Sequence, residues 1–316
     1  MREAVLRYAL APMAWLGIIL GLSAAFTQSL SYLLSRQYTV GRARGTLRLV
    51  VTSHILQGAA CVALTVVLGP RWMPGPAAWG WWLVAECAAY FAAQIGLFYA
   101  LRHTDASRVA PLLALKIVTV AVLAIALLGE SLAPMQWLAV AIALVAAVIL
   151  NYSGGLMPWR GVVGALVACL GYSLSDLCVV GFVDATGATD TGDRLHASLV
   201  GVSLSYVLIA LVGLPTLRWL GTRRWADWRD SVPYSAVWLG SMMLLFGTFG
   251  VIGVVHGNII QSTRGLMSIG MDVLVAKLGH HHLERHVPRA VLARRAVAAA
   301  LMVLAIALYQ ISAQSA

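Results

Sequence analysis

The chain has 316 residues, 60% of them hydrophobic and only 11% charged, with a mean hydropathy of +0.84. That is more apolar side chain than the core of a water-soluble domain consumes, and it points to a polytopic membrane protein. The formal net charge of +10 is spread over many loops, none basic enough to argue for DNA or RNA, so no nucleic-acid partner is expected.

A helix that crosses a bilayer needs about 20 predominantly apolar residues. In chain order such runs predict ten spans, at 11–35, 49–69, 78–101, 108–128, 134–152, 160–183, 195–219, 232–255, 258–278 and 289–312, with no room left for a soluble domain. Span 1 is too long for the roughly 7–15-residue apolar region of a signal peptide and lacks a small-residue exit, so it is read as a membrane helix. Spans 2, 3 and 6 hold all four cysteines, Cys61, Cys87, Cys169 and Cys178. Inside spans they read as packing residues, not as a disulfide framework or metal site. Trp72, Trp79, Trp81, Trp82, Trp219, Trp225 and Trp228 cluster at span ends, where tryptophan anchors a helix at the membrane interface.

The loops divide the basic residues unevenly. Call side A the side of both termini and of the loops after spans 2, 4, 6 and 8. It holds four of the 22 lysines and arginines, namely Arg2, Arg7, Arg71 and Arg194, whereas side B holds sixteen. The positive-inside rule then places side B in the cytoplasm and both termini outside.

The remaining two cations lie inside spans: Lys116 in span 4 and Arg264 in span 9. A charge in hydrocarbon costs about 2.5–3.5 kcal/mol even on lenient insertion scales, so such residues face a bundle interior or a water-filled path. At about 1.5 Å per residue, Lys116 lies about 12 Å from side B and Asp272 of span 9 about 9 Å, so the two are expected to meet. The pair reads equally as a structural link or as part of a transport site. The same arithmetic places Arg264 about 9 Å from side A, Glu86 of span 3 about 12 Å and Asp176 of span 6 about 10 Å, which predicts a second charged layer. Along span 9, Gln261, Arg264, Ser268 and Asp272 recur three or four residues apart, giving one polar face that should point inward. Glu86, Asp176 and Asp272 number three acids against two cations. One acid is therefore left without a cationic partner and is a candidate proton carrier.

Other polar or aromatic interior residues are weaker candidates. His54, about 8 Å below side B in span 2, either lines a cavity or bonds across helices. Trp15 and Trp238 lie deeper than the interfacial tryptophans and are candidate solute contacts. His280, His281, His282 and His286 sit beside Arg285 and Arg289 and read as a basic interfacial loop, not a zinc site. The depths of His54, His103 and His256 do not suit a pair of axial haem ligands. No nucleophile–base arrangement or phosphate-cradling glycine loop is found, so neither an enzyme nor a cofactor is expected.

The chain also repeats itself. Val109–Glu130 and the window 150 residues on, Ile259–His280, align Gly129 with Gly279, and Thr27–Leu30 has a weak counterpart in Ser173–Asp176. Five spans are followed by five of similar plan, with the division at Ser153–Pro158, so residues 1–153 form the first repeat and 159–316 the second. Because five is odd, the second repeat enters the membrane inverted, the plan of secondary transporters with a midplane site. The expected fold is thus all-α, ten transmembrane helices in two inverted five-helix repeats.

Tyr99-Ala100-Leu101-Arg102, Thr104, Ala106-Ser107, Pro111 and the turn Gly129-Glu130-Ser131-Leu132 leading to Gln136-Trp137 resemble the end of the first repeat in the drug/metabolite transporter superfamily, EamA-like branch. The likeness is good over about residues 95–152 and thin in the second half, where His280-His281-His282 follow Gly279. It implies a carrier of amino acids, other metabolites, nucleotide sugars or similar solutes, in a bacterial cytoplasmic (inner) membrane. It also implies cytoplasmic termini, against the arginine count.

The combined expectation is a secondary active transporter for a small charged or zwitterionic, amino-acid-like metabolite. Its solute would be held by Arg264, Lys116, Asp272, Ser268, Gln261, Glu86, Asp176, His54, Trp15 and Trp238. Its partners would be the solute, membrane lipids and a coupling proton, in a monomer or homodimer. The alternatives are a flippase for a lipid-linked sugar or charged lipid headgroup and, from another class, an integral-membrane lipid-modifying enzyme.

Overall fold

A computed structural model describes residues 2–39, 45–69, 73–103, 109, 112–113, 115–151, 158–220, 225–264, 266–267, 270–271 and 289–315. Among them there is no strand. The helices are α1 (Arg2–Thr39), α2 (Gly45–Leu68), α3 (Pro76–His103), α4 (Lys116–Leu128), α5 (Pro134–Asn151), α6 (Trp159–Ala185), α7 (Thr191–Gly213), α8 (Trp225–Ile252), α9 (Val254–Gln261) and α10 (Arg289–Ser315). A 3-10 turn, Leu214–Thr216, and one further helical turn, Leu217–Leu220, extend α7. Seven of these helices are long and apolar enough to cross a membrane, and α4 and α5 are shorter apolar helices. The protein is an all-helical integral membrane protein.

Local chemistry sets the boundaries. The turn after α4 closes on Gly129, whose φ of 68° is left-handed and whose N–H bonds the Ala124 carbonyl, a conformation that glycine adopts without a Cβ penalty. Pro134 opens α5, and the Gln136 side chain reaches back 2.8 Å to accept the Ala133 N–H, pairing a donor the helix start leaves free. The Asp190 carboxylate caps α7 by accepting the Asp193 N–H at 2.8 Å. Between α8 and α9 the backbone turns at Gly253, with φ 80° and ψ 165°, a region open essentially to glycine alone. Arg194 straps this corner. Its guanidinium donates to the Gly250 carbonyl at 2.5 Å and to Asp184 Oδ1 at 2.8 Å.

Helix pairing is most extensive between α3 and α6, α1 and α8, α2 and α7, and α5 and α10, while α4 packs on α5, α6 and α9. Lipid tails are as apolar as leucine, so close backbone approach replaces the hydrophobic effect in holding such pairs. The α3–α6 seam illustrates this with Ala89, Ala93, Gly96 and Ala100 facing Gly164, Ala168 and Gly171. A Cβ on Gly164 would meet the Ala100 nitrogen and the Gly96 carbonyl oxygen at 2.7 Å, and one on Gly171 would meet Ala89 and Ala93 backbone at 2.8 Å. The seam runs antiparallel and ends in Trp79 packed on Phe182.

Spans 4 and 9 depart from the sequence expectation of uninterrupted twenty-residue helices. Helix α4 begins at Lys116, with Leu115 as its cap. Helix α9 runs for eight residues and passes into turn residues at Ser262 and Thr263. Counting depth at a constant rise from assumed span ends is therefore unsound for both.

Candidate functional site

Lys116, at the first residue of α4, places its ammonium 2.6 Å from Asp176 Oδ2 on α6. The same oxygen accepts a 2.8 Å hydrogen bond from the Asn258 amide on α9. Two donors on one carboxylate oxygen tie three helices together in a charge-assisted node. The sequence expectation paired Lys116 with Asp272, which lies outside the described residues. Among the described residues the carboxylate that Lys116 meets is Asp176.

Arg264 follows the end of α9 and is half-buried. Its guanidinium donates to Gln28 Oε1 on α1 at 3.1 Å and lies 5.5 Å from the Tyr32 ring centroid, within cation–π range. Gln261 donates to the same Gln28 oxygen at 3.3 Å, and Ser29 donates to the Arg264 carbonyl at 2.9 Å. Among the described residues no carboxylate lies within ion-pair distance of Arg264, so its positive charge is not neutralised there.

An aromatic cluster connects the two cationic points. Tyr172 of α6 lies 5.9 Å from Lys116 Nζ and packs edge-on against Tyr90 of α3 at 6.2 Å. His54 on α2 bonds the Tyr90 hydroxyl through Nε2 at 2.8 Å and stacks on Tyr206 of α7. The Tyr206 hydroxyl accepts the Trp238 N–H at 2.7 Å. Trp238 in turn packs against Tyr234 and against Tyr32. Lys116, Arg264, Tyr90, Tyr172, Tyr234 and Trp238 are all half-buried and Tyr32 is 38% exposed. The cluster therefore borders open space instead of filling a closed core.

Glu86 stands apart from this cluster. It is buried, accepts the Ser175 hydroxyl at 3.2 Å and the Cys87 thiol at 3.2 Å, and has no cation within ion-pair distance among the described residues. Arg264, Glu86 and Asp176, expected in one charged layer, each have separate hydrogen-bond partners. Trp15 is not gathered into the cluster either. It is 63% exposed and precedes Gln28 by thirteen residues, about 20 Å along α1. Ser268 and Asp272, like the histidines of 280–286, lie outside the described residues.

Sequence reasoning did not single out Gln28 as a ligand to Arg264, nor Asn258, Tyr32, Tyr90, Tyr172, Tyr206 and Tyr234. The signal available was weak: an amide or a tyrosine away from a span end, whose direction depends on helix rotation.

Comparison with known proteins accords with this architecture. A solved crystal structure of a protein shares the fold at a TM-score of 0.70, with 17% sequence identity, covering 95% of this chain and 98% of that one. No curated protein matches the sequence. Residues 15–152 match the EamA-like transporter family. That stretch carries α2 to α5 and most of α1, and over it the chain is similar to the EamA-like transporters of the drug/metabolite transporter superfamily.

Proposed function

We propose that this protein is a secondary transporter that moves a small metabolite bearing a carboxylate or phosphate, and most naturally a zwitterion such as an amino acid, by alternating access. The observation that carries this reading is Arg264: an interior guanidinium held by an amide and a ring, with no acid beside it among the described residues, offers its fork to an anionic group. The Lys116–Asp176 pair supplies both signs of charge for the rest of a zwitterion, and the rings of Tyr32, Tyr172 and Trp238 suit an organic body. In this reading Gln261, His54 and Trp238 position the wall, and Ser268 and Asp272 extend the polar face of span 9.

The two moving parts would be residues 1–153 and 159–316, inverted relative to one another. The pairing of helices supports this. Exchanging each of α1 to α5 with the helix five places later turns the α1–α8 pair into α6–α3, and leaves α2–α7, α4–α9 and α5–α10 as they are. The site then lies where the halves meet.

A thermal-shift panel of amino acids, nucleotide sugars and lipid headgroups tests the substrate class. Stabilisation by amino acids that Arg264→Ala abolishes is the expected result. Stabilisation by lipid headgroups alone, or turnover of lipid, contradicts it.

A further inference from the structure

Gln28 of α1 is 1% exposed, and its amide oxygen accepts from Arg264 at 3.1 Å and from Gln261 at 3.3 Å. An arginine donates only, so the oxygen of this amide and not its nitrogen faces the guanidinium, and two donors fill both of its lone pairs. The surrounding backbone fixes where Gln28 sits. Gly21, two helical turns earlier on the same face of α1, comes so close to α9 that a Cβ there would meet Ile260 Cγ2 at 2.8 Å. Tyr32, one turn later on that face, brings its ring to Arg264, and Ser29 holds the Arg264 carbonyl.

On the correspondence of halves proposed above, α4 answers to α9 and α6 to α1, so the two interior cations are gripped from equivalent helices by unlike groups. Lys116 meets a carboxylate, Asp176 of α6, at 2.6 Å. Arg264 meets a carboxamide, Gln28 of α1. Glutamine and glutamate have nearly the same shape, so the amide changes the charge of this position and not its packing. A carboxylate here would form a charge-assisted, two-pronged pair with the guanidinium, and an anionic solute would have to displace it. The amide orients Arg264 and leaves its positive charge for the solute.

We propose that Gln28 is the positioning residue that makes the site selective for an anionic group: it aims Arg264 at the solute and withholds the negative charge that would occupy it. This rests on the transporter reading above. Selectivity is a difference between competing pairings, so a charge placed at Gln28 changes which solutes bind, whereas a loss of its hydrogen bonds changes only how tightly they bind.

The first experiment needs no solute. The full chain in detergent is treated with phenylglyoxal, an arginine-directed reagent that a carboxylate partner slows, and modification of Arg264 is followed by mass spectrometry. Arg264 should react at least tenfold more slowly in Gln28→Glu than in the parent, and no more slowly than the parent in Gln28→Met. Equal rates in Gln28→Glu and the parent, a Gln28→Met rate as low as that of Gln28→Glu, or a parent whose Arg264 does not react overturns the proposal. The second experiment is a thermal-shift titration of monodisperse protein with a mixture of L-amino acids and with the matching amino-acid amides, which lack the carboxylate. The parent should bind the acids at least a hundredfold more tightly than the amides. Gln28→Met should weaken both and keep that ratio, whereas Gln28→Glu should bring it to tenfold or less. The same ratio in both variants, or a Gln28→Glu chain that does not fold, makes Gln28 a packing residue and overturns the proposal. A parent stabilised by neither mixture contradicts the amino-acid reading instead, and the phenylglyoxal rates then decide the role of Gln28 by themselves.

Discussion

At the scale of single residues, two interior cations, Arg264 and Lys116, sit in unlike settings. Arg264 is held in place by Gln28 and Tyr32 with no neutralising acid among the described residues, so Arg264→Ala should fold and lose affinity for the solute by about a hundredfold or more, the usual scale for deleting one partner of a desolvated charge contact. Arg264→Lys should recover little, because a point charge does not reproduce a two-pronged contact. Binding by isothermal calorimetry on monodisperse protein checks both, and parental affinity in the alanine variant would make Arg264 structural. Lys116 is different because it has a partner. Lys116→Met should destabilise the protein by roughly 3 kcal/mol, since it leaves Asp176 buried and unpaired. Adding Asp176→Asn should restore part of that loss, and a double variant less stable than the single one would contradict the pair. That charges occupy the interior was legible from Lys116 and Arg264 in apolar runs. Their partners were not, because each step along a helix turns a side chain by about 100°. Whether Lys116 meets Asp176 or Asp272 then depends on helix rotation and on where α4 begins.

At the scale of elements, the α3–α6 seam sets the site, since Glu86 and the Ser175–Asp176 pair follow its small residues at the next helical turn. Gly164→Val would drive a side chain into the Ala100 and Gly96 backbone and should cost about 2 kcal/mol or more. Gly80→Val is the control, because a Cβ there meets nothing within 4 Å. Thermal unfolding in detergent compares them, and equal midpoints would show that the seam tolerates separation. Helices α1 to α3, α6 to α8 and α10 were legible as long apolar runs. Spans 4 and 9 were not legible as they stand. Pro111 and the polar run Gln261–Arg264 lie inside apolar stretches, and hydropathy averaged over a window does not register where a helix starts or breaks. The broken backbone is at the candidate site, which is where irregular membrane segments line a cavity.

At the scale of the whole molecule, the arginine and lysine count and the helix pairing bear on different questions. The bias of sixteen to four predicts that a reporter active only outside the cytoplasm gives signal when fused to Ala316, and that one fused after Leu220 is silent. The reverse pattern would give the protein the cytoplasmic termini that its family resemblance implies. Neither orientation changes the central claim, which is that the cluster around Arg264 carries a solute across the membrane. Counterflow tests that claim most directly. Proteoliposomes of the parent, preloaded with an unlabelled mixture of L-amino acids, should take up the labelled mixture transiently above its equilibrium level. Those made with Arg264→Ala should not. Absence of counterflow in the parent, or equal counterflow in Arg264→Ala, would contradict the account.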